Sequence, residues 1–220
     1  VFVTGTGTGV GKTVVAAAIA RTLAGEGKRV AVFKPAVTGL DNFAAEGPAA
    51  DHLALREAAG SAQGDEEIAP YRYGPPMSPH LAAELAGEEI SPARLLVAAG
   101  AAAEGADALV CEGVGGLLVP LTPNYVVRDL ATDLALPLVI AAPPGLGTIN
   151  HTLLTIEAAR AADLDVAAVV LTPWPAEPTS IEESNRETIA RLAEVRVETL
   201  PALDLGDPGS WPALPLPPPR

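Results

Sequence analysis

The sequence predicts an α/β domain built on a doubly wound, mostly parallel sheet flanked by helices. Three observations carry this expectation. Short runs rich in β-branched residues alternate along the chain with segments whose apolar residues recur at helical spacing. The strand runs are apolar throughout, as strands covered on both faces are. The first of them leads directly into a glycine-rich stretch and a helix, TGTGTGVGKT at positions 4–13.

In chain order the strand candidates are VFVT (1–4), RVAVFK (29–34), ALVCE (108–112), LPLVIAA (136–142), VAAVVL (166–171) and VETL (197–200). Between and after them the helical patterns are TVVAAAIARTLAGEG, AADHLALREAAG, SPARLLVAAGAAAEG, VVRDLATDLA, NHTLLTIEAARAAD and IEESNRETIARLAEV. Gly27, Gly60 and Gly105 stand where helix ends favour a left-handed residue. The chain has 220 residues, 49% hydrophobic but only 4% aromatic, so one core of Ala, Val, Leu and Ile is expected. Residues 1–205 form that single domain, and 206–220 a tail holding six of the 22 prolines, unable to continue a helix or sheet.

The net charge of −13 argues against a nucleic-acid partner, because phosphate backbones recruit basic faces. Cys111 is the single cysteine, which excludes an internal disulfide and fits a reducing cytosol. No apolar run reaches membrane-spanning length and no charged-then-apolar leader opens the sequence, so a cytoplasmic protein without a membrane partner is expected.

The glycine stretch binds phosphate in this reading. Strand, glycines, Gly11-Lys12-Thr13 and helix stand in the order that points backbone amides and a helix N-terminus at an anion. The Lys12 ammonium would lie against the β- and γ-phosphates, and the Thr13 hydroxyl would ligate Mg²⁺. The common pattern G-x-x-x-x-G-K-[ST] needs glycine at position 6, which is Thr6 here, so the loop is a variant one residue longer.

In a doubly wound sheet, ligands gather outside the carboxyl ends of the strands. Lys34 leaves the second strand there, in FKPAVTG (33–39), with the Thr38 hydroxyl close behind; the alternative is a solvated strand end. Glu112 ends the third strand in CEGVGG (111–116), where Gly115 and its neighbours leave backbone amides accessible. Asp51 opens a helix, so capping and metal ligation both remain open for it. Thr13, Asp51 and Glu112 together would offer the hard oxygen ligands that suit Mg²⁺. His52, His80 and His151 show no zinc spacing, and no Ser-His-Asp arrangement points to covalent catalysis.

From residue 1 to about 160 the chain resembles the dethiobiotin synthetases, enzymes of the P-loop NTPase fold. TGTGTGVGKT, KPAVTG, EGVGGLLVPL and GLGTINHTLLT follow that family's order and spacing, and MSPHLAA (77–83) resembles a segment lying near its substrate. The resemblance implies ATP-dependent closure of the ureido ring of dethiobiotin from 7,8-diaminononanoate and CO₂, with Mg²⁺, in a cytoplasmic homodimer whose active site lies at the subunit interface. It implies Lys12 and Lys34 as catalytic residues. Gly7, Thr8, Gly9, Val10, Gly11, Lys12, Thr13, Glu112, Gly115 and Pro173 would bind nucleotide. Thr8, Lys34, Thr38, Gly115, Gly147 and Asn150 would bind substrate, the last two in GLGTIN (145–150) from the neighbouring subunit; for Asn150 a plain helix cap is the alternative. Many members carry an adenine-reading asparagine after the fifth strand, where this chain has TPWPAEP (172–178), so loose choice among nucleoside triphosphates is expected. A nucleotide-switch ATPase of the partition or septum-positioning kind is the competing reading of the same fold. The Gly7 in place of that group's extra lysine, the acidic charge and the lack of a C-terminal amphipathic helix count against it.

Overall fold

The computed structural model describes residues 1–42, 50–204, 207 and 210–215. Its main sheet has six strands, all parallel: β1 (Phe2–Gly5), β2 (Val30–Phe33), β3 (Ala108–Glu112), β6 (Leu138–Ala142), β7 (Val166–Trp174) and β8 (Val197–Pro201), in the spatial order β2-β3-β1-β6-β7-β8. A short antiparallel hairpin, β4 (Pro120–Thr122) with β5 (Tyr125–Val126), stands apart from it. The chain winds outward from β1 to β2, returns through β3, then crosses β1 to build the other half. The reversal therefore falls at the carboxyl ends of β3, β1 and β6, which is where such sheets bind ligands.

Successive residues of each strand face opposite layers, and both layers are apolar. Phe2, Phe33, Cys111, Leu138, Ile140, Val169 and Leu171 meet one layer, to which α4 (Pro79–Leu85), α5 (Pro92–Ala103), α6 (Val127–Asp133), α7 (Thr148–Arg160) and α8 (Ser180–Ala193) contribute. Val3, Val32, Val110, Val139 and Val170 meet the other, formed by α1 (Lys12–Gly25) and α2 (Asp51–Ala59). Helix α1 buries Val15 through Ala20 without interruption. Four alanines in that run bring the helix axis close to the sheet, which sets its N-terminus directly over the end of β1. Leu214 of the tail is buried on the α1 side, and its N–H donates to the Thr22 hydroxyl at 2.9 Å.

All six strand candidates and all six helical patterns correspond to observed elements, with ends that coincide for 108–112 and shift by a few residues elsewhere (Ala49 lies outside the described residues), and Gly27, Gly60 and Gly105 all adopt positive φ. Three features depart from the sequence reading. The hairpin was not expected, because PLT and YV are too short to show alternation and a Pro123-Asn124 turn separates them. Helix α4 and the single turn α3 (Asp65–Ile68) were not expected either. Strand β7 continues through Pro173 to Trp174. Its pairing with β6 ends at Leu171, while pairing with β8 runs on to Trp174 opposite Pro201 with a register shift after Leu171, and Pro173 falls in that irregularity, where a proline is tolerated. The Thr172–Pro173 peptide is cis.

Candidate active site

The glycine loop runs from β1 to α1 with Gly9 and Gly11 at positive φ, +73° and +91°. Gly11 is the more constrained: a Cβ there would lie 2.6 Å from the Thr172 Cγ2, so the end of β7 packs against the base of the loop. The first-turn N–H groups of α1 have no intrahelical acceptor, and no acidic residue stands in that turn to neutralise its positive end. Lys12 is buried and curls over the loop, donating to the Gly7 carbonyl at 2.8 Å. Burial lowers its pKa, with Glu112 working in the opposite direction. Gly7, Thr8 and Val10 complete the loop.

Beside Lys12 lies a cluster of charge drawn from four parts of the chain. Lys34, just past β2, is only 3% exposed and is no solvated strand end. Its Nζ lies 2.7 Å from Asp51 Oδ2 and 2.7 Å from Glu112 Oε1. The Thr13 hydroxyl approaches Asp51 Oδ1 at 3.0 Å and Glu112 Oε1 at 2.8 Å. Asp51 is the first residue of α2, but its carboxylate makes no cap; it turns to Lys34 and Thr13 instead. Burial alone would drive Lys34 toward the neutral amine, yet Glu112 and Asp51 outweigh it and hold the pKa above the ordinary lysine value. Asp51, with burial overcome by Lys34, falls below the usual carboxylate range, whereas burial pushes the fully enclosed Glu112 up against the pull of Lys34.

The donor set fits a hard divalent cation. A hydroxyl carries one proton, so Thr13 can donate to only one of the two carboxylate oxygens it approaches, and the other contact is oxygen against oxygen. Glu112 Oε2 is buried and has no hydrogen-bond partner among the described residues. The unpartnered Glu112 Oε2 and the carboxylate oxygen that Thr13 cannot protonate are hard oxygen lone pairs of the kind Mg²⁺ would satisfy.

On the other side of the loop, Gly5–Thr8 form one wall of a cleft of about 390 Å³. Gly116–Val119 form a second wall, and His151, Leu154, Thr155 and Ala158 of α7 a third. Gly115, at φ +63°, bends the chain after Glu112 so that Gly116 passes close to Gly5 and Gly7. His151, Leu154 and Thr155 of this wall fall within the GLGTINHTLLT stretch but are given no role from the sequence, and Ala158 lies beyond it. Gly147, at φ +91°, precedes α7; Asn150 lies exposed in its first turn and provides no cap. The loop leading to α7 is held by Asn185 of α8, which donates to the carbonyls of Pro144 and Gly145 at 2.9 and 3.2 Å, another residue the sequence did not mark. Thr38 is half-buried and makes no side-chain hydrogen bond with the described residues, so the structure does not tie it to the cluster. Pro173 lies exposed one residue past the threonine that supports Gly11.

A glycine-rich loop running into a helix N-terminus, a buried lysine over it and a pair of carboxylates at a sheet's switch point are the features of a nucleotide-dependent enzyme of the P-loop kind. Residues 1–204 match the family described as an AAA domain. The chain is 45% identical over 191 residues to the ATP-dependent dethiobiotin synthetase BioD of Anaeromyxobacter dehalogenans strain 2CP-1, covering 87% of this chain and 84% of that protein. It is 43% identical over 203 residues to the enzyme of the same name from Mycobacterium sp. strain JLS, covering 91% and 86%. The Bacillus subtilis enzyme is 34% identical over 89% of this chain and 84% of its own. The chain belongs to the dethiobiotin synthetase family. Among solved structures, the MinC:MinD cell division protein complex of Aquifex aeolicus aligns with a TM-score of 0.57 at 16% identity, over 91% of this chain and 80% of that one. The pNOB8 ParA structure aligns at 0.52 and 14%, over 88% and 75%. These two share the fold.

Proposed function

We propose that this protein closes the ureido ring of dethiobiotin, joining 7,8-diaminononanoate and CO₂ at the expense of a nucleoside triphosphate, as a carbon–nitrogen-forming ligase of biotin biosynthesis. The observation that carries the reading is the Thr13–Lys34–Asp51–Glu112 cluster beside the glycine loop, with Lys34 and Glu112 buried, in a chain 34–45% identical to named dethiobiotin synthetases over most of its length. One amine of the substrate captures CO₂ as a carbamate. A carbamate oxygen attacks the γ-phosphorus and displaces the nucleoside diphosphate. The second amine then attacks the carbonyl carbon of the mixed anhydride, loses its proton and expels phosphate, closing the ring.

The chain's own groups suit each stage. The loop amides of residues 7–13 and the Lys12 ammonium hold the phosphates and stabilise charge on the phosphoryl group in flight. Thr13, Asp51 and Glu112 would hold Mg²⁺, which supplies charge neutralisation on the triphosphate. Lys34 stands where a cation eases the approach of the anionic carbamate to the anionic γ-phosphate. The cleft beside Gly5–Thr8 offers Leu117, Leu154 and Ala158 to the methylene chain, and backbone amides near Gly115 to its polar end. Its outer wall is open, and Leu118, Leu146 and Leu154 are exposed to 56%, 97% and 56%. A second copy covering these side chains would complete the site as a homodimer, bringing Gly147 and Asn150 at the start of its α7 to the substrate carboxylate. With Pro173 in place of an amide side chain, the base is held loosely. Among the described residues no helix is long and apolar enough to cross a membrane.

Phosphate release from MgATP and bicarbonate, with and without 7,8-diaminononanoate, tests the reading. Strict dependence on the diamine supports it, and release of equal rate without the diamine would point to the nucleotide-switch alternative.

A further inference from the structure

Lys34 sits where a metal ion's charge would be needed. Its ammonium is enclosed, bridges both carboxylates of the cluster at 2.7 Å, and sits against the oxygen of Glu112 that also faces Thr13. The counter-charge for both carboxylates is thus supplied from within the cluster by a buried side chain, with Lys12 on the adjoining loop. We infer that Lys34 is an internal counter-ion that keeps the Asp51–Glu112 pair closed to a free divalent cation, so that metal enters only together with the triphosphate of a nucleotide. The inference rests on the metal-binding reading of Thr13, Asp51 and Glu112 given above.

A bare divalent ion would have to share or displace oxygens already held by the buried Lys34 ammonium, leaving positive charge beside it with too few carboxylates to balance it, which is unfavourable away from water. The same ion arriving with a triphosphate brings its own negative charge. Lys34 can then give up the carboxylates: its backbone N–H is fixed to the Ile68 carbonyl at 2.8 Å, while the ammonium rides on a flexible four-carbon stem. Released, it becomes the free cation that the carbamate requires. One exchange of partners thus seats the metal and arms Lys34, and it ties readiness for the substrate to a loaded nucleotide site.

Mn²⁺ binding followed by electron paramagnetic resonance tests this without turnover. The nucleotide-free wild-type protein should bind Mn²⁺ weakly, and a non-hydrolysable ATP analogue should strengthen binding. Lys34→Met should bind Mn²⁺ without nucleotide about tenfold or more tightly than wild type; because Lys34 has left the carboxylates once nucleotide is bound, Mn²⁺ affinity with the analogue should stay unchanged, so the strengthening shrinks by that factor, and by linkage Mn²⁺ strengthens analogue binding correspondingly less. Equal nucleotide-free affinities in the two proteins would overturn the inference. If the analogue fails to strengthen Mn²⁺ binding in the wild type, or Glu112→Gln leaves that strengthening intact, the metal reading falls as well. A readout on the unmodified protein guards against a variant that does not fold. The Lys34 ammonium resonance, in protein labelled with ¹⁵N-lysine, should stay in place with Mg²⁺ alone and move with Mg²⁺ plus the analogue; movement with Mg²⁺ alone, or none with both, contradicts the exchange.

Discussion

Glu112→Gln separates a metal ligand from a structural acid, because the two roles give different pairs of results. The substitution keeps the side chain's shape and removes its charge. Glu112 is fully buried at the end of β3, with Lys34 at 2.7 Å and Thr13 at 2.8 Å. Removing one partner of a buried ion pair typically costs about 3–5 kcal/mol. Two features reduce that figure here: Asp51 still neutralises Lys34, and the glutamine carbonyl can still accept from Thr13. Because burial pushes Glu112 up, a neutral group also recovers part of the desolvation cost. The expected loss is therefore about 1–3 kcal/mol, or about 2–12 °C in Tm for a domain of this size. Asp51→Asn should cost less, since the Asp51 side chain is 38% exposed and solvent screens its charge. In both variants, Mg²⁺ titrated against diamine-dependent phosphate release should show a midpoint moved to higher concentration. A lower Tm with unchanged Mg²⁺ curves in both would make these acids structural. An unchanged Tm for Glu112→Gln would refute the energetics of the cluster itself.

Other outcomes follow from the same geometry. Lys12→Ala should lower kcat by about 10² or more, since it strips a cation from the phosphoryl group in transfer, and near-normal turnover in a folded variant would sink the phosphate-loop reading. Lys34→Gln should depress diamine-dependent turnover far more than affinity for a non-hydrolysable nucleotide; collapse of nucleotide affinity with turnover preserved at saturation would make Lys34 a nucleotide clamp. With Pro173 offering no amide to the base, competition of ATP against CTP, GTP and UTP should show preferences below about 10³, and a stronger preference for ATP would contradict the loose base site.

What could be seen in the sequence depended on how each residue's role is encoded. Lys34 and Glu112 stood out because each is a charge at the end of an apolar strand, a position that packing does not explain. Thr13 was marked by the lysine before it. That Thr13, Asp51 and Glu112 would converge was an expectation of the sequence, but the direct bridging of both carboxylates by Lys34 was not legible, because it joins residues 34, 51 and 112 and depends on the sheet order. Thr172 looks like any β-branched strand residue, and only its approach to Gly11 reveals that it supports the loop. The α7 wall of the cleft was hidden because Leu154 and Ala158 are ordinary members of a helical apolar pattern. The hairpin 120–126 was missed because its two strands together span five residues, too few for a periodic signal.

The central claim is ring closure, and labelled bicarbonate tests it most directly. The purified protein, supplied with MgATP, ¹⁴C-bicarbonate and 7,8-diaminononanoate, should convert label into an acid-stable product that co-migrates with dethiobiotin, with about one phosphate released for each carbon fixed. Leaving out either the diamine or the nucleotide should abolish both. Phosphate release that persists without the diamine, with no acid-stable label formed, would contradict the account.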